Sequence, residues 1–351
     1  MKKWSWLIRL FVFLLILVGV AYQFSRILSS EALNRPGGAE SATGILLEVS
    51  QKVPALCWFL SGLLYALGIL NSWWLWHWLA RRMGDRMHLL GSAFAITYSQ
   101  LGKYAPGKGL AMMIRVAWAS QAGARIPVAA VSAVYEVLTT MASGALIGLT
   151  LGLFFFWQDG TARGLTEIPA VLYHAAGMFL LAFIPVTPPV FNRLVVRLAG
   201  RFMKPGQEIA KPGWRELGVG LLLASVNWAL LGTALFVLTL DLDQKLPLSG
   251  PAGWFHCVQY ASLANVGGFI ASTPGGMGVR EFLLQQYLDP HLGADSVVLV
   301  LLIRLVWTLA EIGLLAIVWI AGRLAVKRTV DSLQSPNRAQ SPEALQQGKP
   351  D

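Results

Sequence analysis

The chain alternates long apolar runs with short polar, basic or Pro-Gly breaks. A helix needs about 20 apolar residues to cross a ~30 Å hydrocarbon core. Runs near that length lie at roughly 7–24, 54–79, 127–157, 168–186, 217–240 and 295–321. They predict six full spans in an all-α integral membrane protein. Lys2, Lys3 and Arg9 precede and enter the first run, and no small-residue cleavage site follows. It therefore reads as an uncleaved helix. Pro185-Val-Thr-Pro-Pro189 is expected to stop the fourth run.

Two stretches break the pattern. Leu89–Gln121 carries Ser92, Thr97, Ser99, Gln100, Lys103, Lys108 and Arg115, and Pro106-Gly107 cuts it in two. Pro251–Leu288 carries Gln259, Ser262, Asn265 and Gly267-Gly268, then Pro274-Gly275-Gly276, then Arg280-Glu281. Halves of about 15 residues reach roughly 22 Å as helix, short of the core. Each stretch predicts a re-entrant helical hairpin. Its tip must be buried in protein or line a wet cavity, because lipid cannot satisfy free backbone groups.

Composition agrees. The 351 residues are 55% hydrophobic and 13% charged, against about 25% charged in soluble domains. The net charge of +10 reflects loop cations rather than nucleic-acid contact. Arg81, Arg82 and Arg86 cluster after the second run, Arg193, Arg197, Arg201, Lys204, Lys211 and Arg215 form a basic loop, and Arg323, Lys327 and Arg328 follow the last run. Placing these clusters inside puts both termini in the cytoplasm of a bacterial inner membrane. Trp73, Trp74, Trp76 and Trp78 suit the lipid–water interface. Residues 1–328 read as one membrane domain and the polar stretch 329–351 as a disordered tail. Cys57 and Cys257 sit in apolar runs and read as small buried hydrophobes.

The pattern also repeats. Pro106 precedes Glu136 by the same 30 positions that separate Pro274 from Arg304, and Gly123-Ala124 and Gly293-Ala294 follow the prolines at similar offsets. Copies at about 54–157 and 217–322, entered from opposite sides, form an inverted repeat of the kind transporters use. Glu136 and Arg304 each lie about nine residues into a span, roughly 14 Å deep. A charge there costs about 2.5–3.5 kcal/mol on insertion scales unless paired or solvated. They are therefore expected to pair, or to alternate partners, across the repeat interface.

The intramembrane cations Lys103, Lys108, Arg115, Arg280 and Arg304 outnumber the acids Glu136, Glu281 and Glu311, which suits an anionic ligand. The tips at Pro106, Gly107, Pro274, Gly275 and Gly276 precede helix starts whose free N–H groups favour phosphate. The acids would balance charge or carry protons. Blander uses compete: Lys103 and Arg115 suit snorkelling, Arg280-Glu281 suits an interfacial pair, and Glu311 shares a helix face with Arg304 and Thr308. The five histidines show no ligand spacing, and no P-loop, nucleophile elbow or HExxH occurs. No cofactor and no metal are expected.

Leu101-Gly102-Lys103-Tyr104-x-Pro106-Gly107-Lys108, Arg115, Glu136, Thr273-Pro274-Gly275-Gly276-x-Gly278-Val279-Arg280-Glu281 and Arg304 resemble the membrane region of lysylphosphatidylglycerol synthases. That family includes stand-alone, flippase-like membrane proteins. The resemblance implies lipid translocation between leaflets, of an aminoacylated phospholipid in some members and of a polyprenyl- or glycolipid in others. The synthases add a soluble aminoacyl transferase domain, which the polar C-terminal stretch does not resemble. The leading expectation is a flippase for an anionic lipid, without catalytic chemistry of its own. A membrane enzyme acting on a lipid phosphate with Glu136 as base, and a scaffold for a partner membrane enzyme, are the alternatives. The expected partner is membrane lipid, not nucleic acid, with a homo-oligomer also open.

Overall fold

The computed structural model describes residues 49–103, 109–159, 170–199, 209–242, 248–271, 276, 278–293 and 295–338. The described residues form helices and no strand. The protein is an all-α integral membrane protein.

Among the described residues, four helices are long and apolar enough to cross a membrane: α1 (Ala55–Arg82), α4 (Ile126–Asp159), α7 (Trp214–Thr239) and α10 (Asp295–Arg338). A fifth expected span is bent. Helix α5 (Ala170–Val186) meets α6 (Pro188–Ala199) at 60°, and only together do they pass as one span. The prolines end α5 as expected, but the chain does not then become a loop. Thr187 accepts backbone bonds from Val190 and Phe191, and Pro188 begins a new helix. Part of the expected basic loop is thus an amphipathic helix. Its Phe191 is buried against Tyr135, with Arg193 and Arg197 outward. The first run, 7–24, lies outside the described residues.

Between α1 and α4 stand α2 (Leu89–Gly102) and α3 (Gly109–Gln121). They run antiparallel at close range. A Cβ on Gly91 would lie 2.2 Å from that of Ala122 at one end, and one on Gly102 would lie 2.7 Å from Ala111 Cα at the other. Between α7 and α10 stand α8 (Gly250–Ile270) and α9 (Val279–Leu292). Gly267 and Gly268 admit Leu283 and Arg280 near the break. The second hairpin is asymmetric: α8 has 21 residues and α9 has 14. Helix α8 is about 31 Å long, yet too polar to count among the spans.

Each hairpin is followed by a turn on a left-handed glycine, Gly123 at φ +88° and Gly293 at φ +59°. The packing follows the same correspondence. α1 lies on α7; α4 packs on α7 and α8, while α10 packs on α1 and α2. The core lies where these helices meet. Gly144, Gly148 and Gly232 let Trp228, Leu263 and Val258 approach the neighbouring backbone. At the C-terminal end, α10 continues to Arg338, so residues 329–338, expected as disordered tail, extend the helix. Residues 329–335 hold no proline or glycine to stop a started helix, and Pro336 falls in its last turn.

Candidate functional site

A cavity of about 340 Å³ lies between the two hairpins, within the usual size of small-ligand pockets, about 300–1,000 Å³. Lys103 from the end of α2, Arg115 from α3, Glu136 from α4, Gly276 and Arg280 from the second hairpin all line it. Tyr65, Gln100, Asn227 and Asn265 add polar atoms, and Ile69, Met112, Trp228, Leu231 and Phe269 the apolar wall. Five of the sequence-predicted residues therefore meet at one place. Pro106, Gly107, Lys108, Pro274 and Gly275 lie outside the described residues. Arg304, Glu281 and Glu311 are buried behind the wall and hold it in place.

The charges pair differently from expectation. Glu136, 3% exposed, accepts from Arg115 Nη1 at 2.7 Å, and Thr140 Oγ1 reaches its other oxygen at 3.4 Å. Arg304, 5% exposed, faces Glu281 at 3.7 Å. The Glu136–Arg304 pair does not form. Glu136 and Arg304 are each met by the second arm of their own hairpin, with signs reversed between the copies. The reason is proximity: α3 packs on α4 and α9 on α10, so an opposite charge is available one turn-linked helix away. Buried ions need a close, well-oriented partner to offset desolvation, and the nearest one serves.

The Gly-Val-Arg-Glu segment has a local logic. Gly278 takes φ +85°, and its N–H donates to Glu281 Oε2 at 2.8 Å, so the carboxylate reaches back over the start of α9. The other oxygen accepts from Arg280 Nη2 at 3.1 Å. This revises the expectation that the α9 N-terminus is open to a phosphate: the protein's own carboxylate caps it. Arg280 turns instead to the cavity, held by Asn265 Oδ1 at 3.3 Å and lying 5.8 Å from the Trp307 ring. Arg115 lies 4.8 Å over Trp76. Trp76, expected at the interface, is fully buried and donates to Ser132 at 3.1 Å; Trp74, half exposed, keeps a lipid-facing position.

At the opposite wall Lys103 pairs with Glu311, which also accepts from the Tyr65 hydroxyl. Lys103 Nζ lies 3.2 Å from that hydroxyl. Glu311 thus serves the first hairpin, while Arg304, seven residues earlier, serves the second. Tyr65 and Trp307 were not singled out by sequence. Their signal is only an aromatic residue inside an apolar run, which core packing produces equally well. The scattered histidines also converge in part: His256 and His291 both meet the Tyr260 hydroxyl, at 3.3 and 3.1 Å, tying α8 to α9 away from the cavity.

No curated protein matches the chain. Residues 43–318 match the family described as the lysylphosphatidylglycerol synthase TM region, a group of membrane proteins related to lipid modification or transport. That stretch contains both hairpins and every charge that lines the cavity or is buried behind it, and with most of the chain inside the match, the protein belongs to the lysylphosphatidylglycerol synthase transmembrane-region family.

Proposed function

We propose that the protein moves a lipid with an anionic headgroup between the leaflets of a bacterial inner membrane, with both termini cytoplasmic. The observation that carries this reading is the cavity, to which the two hairpins contribute Lys103, Arg115 and Arg280 against the single acid Glu136. A phosphate headgroup fits a cation-rich, partly apolar chamber, and its tails would stay in lipid. Hairpins entered from opposite faces offer a fixed central site and two ways out, which is the logic of inverted repeats. In this reading the cavity residues bind and orient the headgroup rather than react with it, and Arg115 keeps Glu136 as a counter-ion rather than a base.

The test uses the purified full chain in phosphatidylcholine liposomes with a panel of tail-labelled lipids: phosphatidylglycerol, a polyprenyl phosphate and a neutral glycolipid. Leaflet exposure and chemical identity are followed together. Movement of the anionic lipids without conversion is expected, and Arg280→Ala should abolish it with the fold intact. Chemical conversion would favour a lipid-phosphate enzyme, and undiminished movement in Arg280→Ala would sink the assignment of this cavity.

A further inference from the structure

Of the three cations that line the cavity, Lys103 is the one an incoming anion reaches most easily. Its side chain is 23% exposed, against 7% for Arg115 and 11% for Arg280. Its acid partner is the most enclosed of the three: the Glu311 side chain is 2% exposed and lies behind the lining. A ligand in the cavity therefore meets the Lys103 ammonium from one side while the carboxylate holds it from the other. Nζ donates to Glu311, to the Tyr65 hydroxyl at 3.2 Å and to Gln100 Oε1 at 3.3 Å. An ammonium has three N–H donors, so a new acceptor must displace one of these or share a donor. The Tyr65 hydroxyl donates to the same carboxylate. Residues of α1, α2 and α10 thus meet at Glu311.

The other charges along this face of α10 are Arg304 on the same helix and Arg280 and Glu281 on α9, where both arginines reach the one carboxylate. Arg115 and Glu136 pair with each other. Among the described residues, no histidine lines the cavity. An anion that engages Lys103 must therefore share one ammonium with Glu311. Each anion would lie one charge-assisted bond of about 2.8 Å from the same nitrogen, so the two would stand about 5 Å apart. They repel at that distance in a low dielectric, and a buried carboxylate that shares its cation is poorly compensated. Protonation removes the conflict. A neutral Glu311 carboxyl still accepts from the Tyr65 hydroxyl and leaves the Lys103 charge to the ligand.

We propose that Glu311 competes with the lipid headgroup for Lys103, and that a phosphodiester binds there together with a proton that Glu311 takes up from water. The choice of ligand rests on the lipid-moving reading; the competition rests on the geometry around Lys103. The empty cavity then carries its own counter-ion. The monoanionic headgroup and the proton enter as a neutral pair, so loading adds no net charge to a site inside the membrane. Because the two bind together, each favours the other by the same factor, and the more acidic face loads the headgroup better.

The experiment titrates dihexanoyl phosphatidylglycerol, whose phosphodiester stays ionised throughout, into the purified full chain in a neutral detergent between about pH 6 and about pH 8. Calorimetry in two buffers of different ionisation enthalpy counts the protons taken up. Wild type should take up protons as the lipid binds and should weaken as pH rises, by at most about tenfold per pH unit, the limit for one linked proton. Glu311→Gln keeps an acceptor for Tyr65 but cannot carry the charge. It should take up no proton, lose the pH dependence and bind about tenfold tighter than wild type at the upper pH. A carboxylate that only orients Lys103 predicts the opposite sign, with Glu311→Gln weaker at every pH, and that result overturns the competition. So do an absence of saturable binding, wild-type binding without proton uptake, and uptake that survives in Glu311→Gln. If thermal unfolding shows that the variant does not fold, the wild-type proton count decides alone. Movement of labelled phosphatidylglycerol in liposomes is measured in parallel. Proton-linked binding without movement would sink the lipid-moving reading and leave the competition standing; movement without proton uptake would do the reverse.

Discussion

Glu136 shows how a buried charge chooses its partner. Depth alone makes an ion pair necessary, because an isolated carboxylate or guanidinium at that level costs several kcal/mol. Depth does not say which cation. Arg115 wins because α3 is linked to α4 by a four-residue turn and packs along it, whereas Arg304 has Glu281 in the matching position on α9. Removing one partner leaves an uncompensated buried charge, so Arg115→Ala or Glu136→Ala should each cost about 3–5 kcal/mol. Thermal unfolding in detergent measures this. Arg115→Glu combined with Glu136→Arg should recover part of the loss, because the same two atoms still meet. The swap between Glu136 and Arg304 should recover nothing. Equal recovery in both swaps would overturn the pairing.

Glycine governs the packing of the helices, in two different ways. At Gly123 the φ of +88° is the constraint, and no atom lies within 4 Å of where a Cβ would stand. Gly123→Ala should therefore cost only the left-handed backbone penalty, about 1–2 kcal/mol. At Gly232 a Cβ would fall 2.4 Å from Val258 Cα, which is backbone and cannot swing aside. Gly232→Ala should separate α7 from α8, costing about 1–3 kcal/mol by overpacking. Because α8 carries Asn265, the partner of Arg280, the Gly232 variant should also weaken anionic-lipid binding. The Gly123 variant should leave binding near wild type once stability is matched. Titration of both variants at a temperature where each is folded separates the effects.

For the molecule as a whole, the two hairpins must open to opposite faces if the copies are inverted. In a Cys57→Ser, Cys257→Ser background, single cysteines at Arg86 and Gln121 flank the first hairpin, and those at Ser249 and Asp289 flank the second. All four positions are exposed. A membrane-impermeant maleimide should label the first pair from one side of oriented vesicles and the second pair from the other. Labelling of Arg86 and Gln121 from opposite sides would make the first hairpin a single crossing and invert everything after it.

The sequence alone determined the membrane class, the positions of four long spans, the two breaks and most of the buried charges. These follow from quantities that are local along the chain: run length against bilayer thickness, proline and glycine as breakers, and the cost of charge in lipid. It also picked out Lys103, Arg115, Glu136, Gly276 and Arg280, because polar residues in apolar stretches stand out without knowing their neighbours. Only the tertiary structure decided who pairs with whom, that Glu281 caps α9, that Trp76 is core, and that Tyr65 and Trp307 stand between the two hairpins. Those facts depend on which helix faces lie opposite each other. An aromatic ring in an apolar run carries no mark of what it will stack on until the helices have packed.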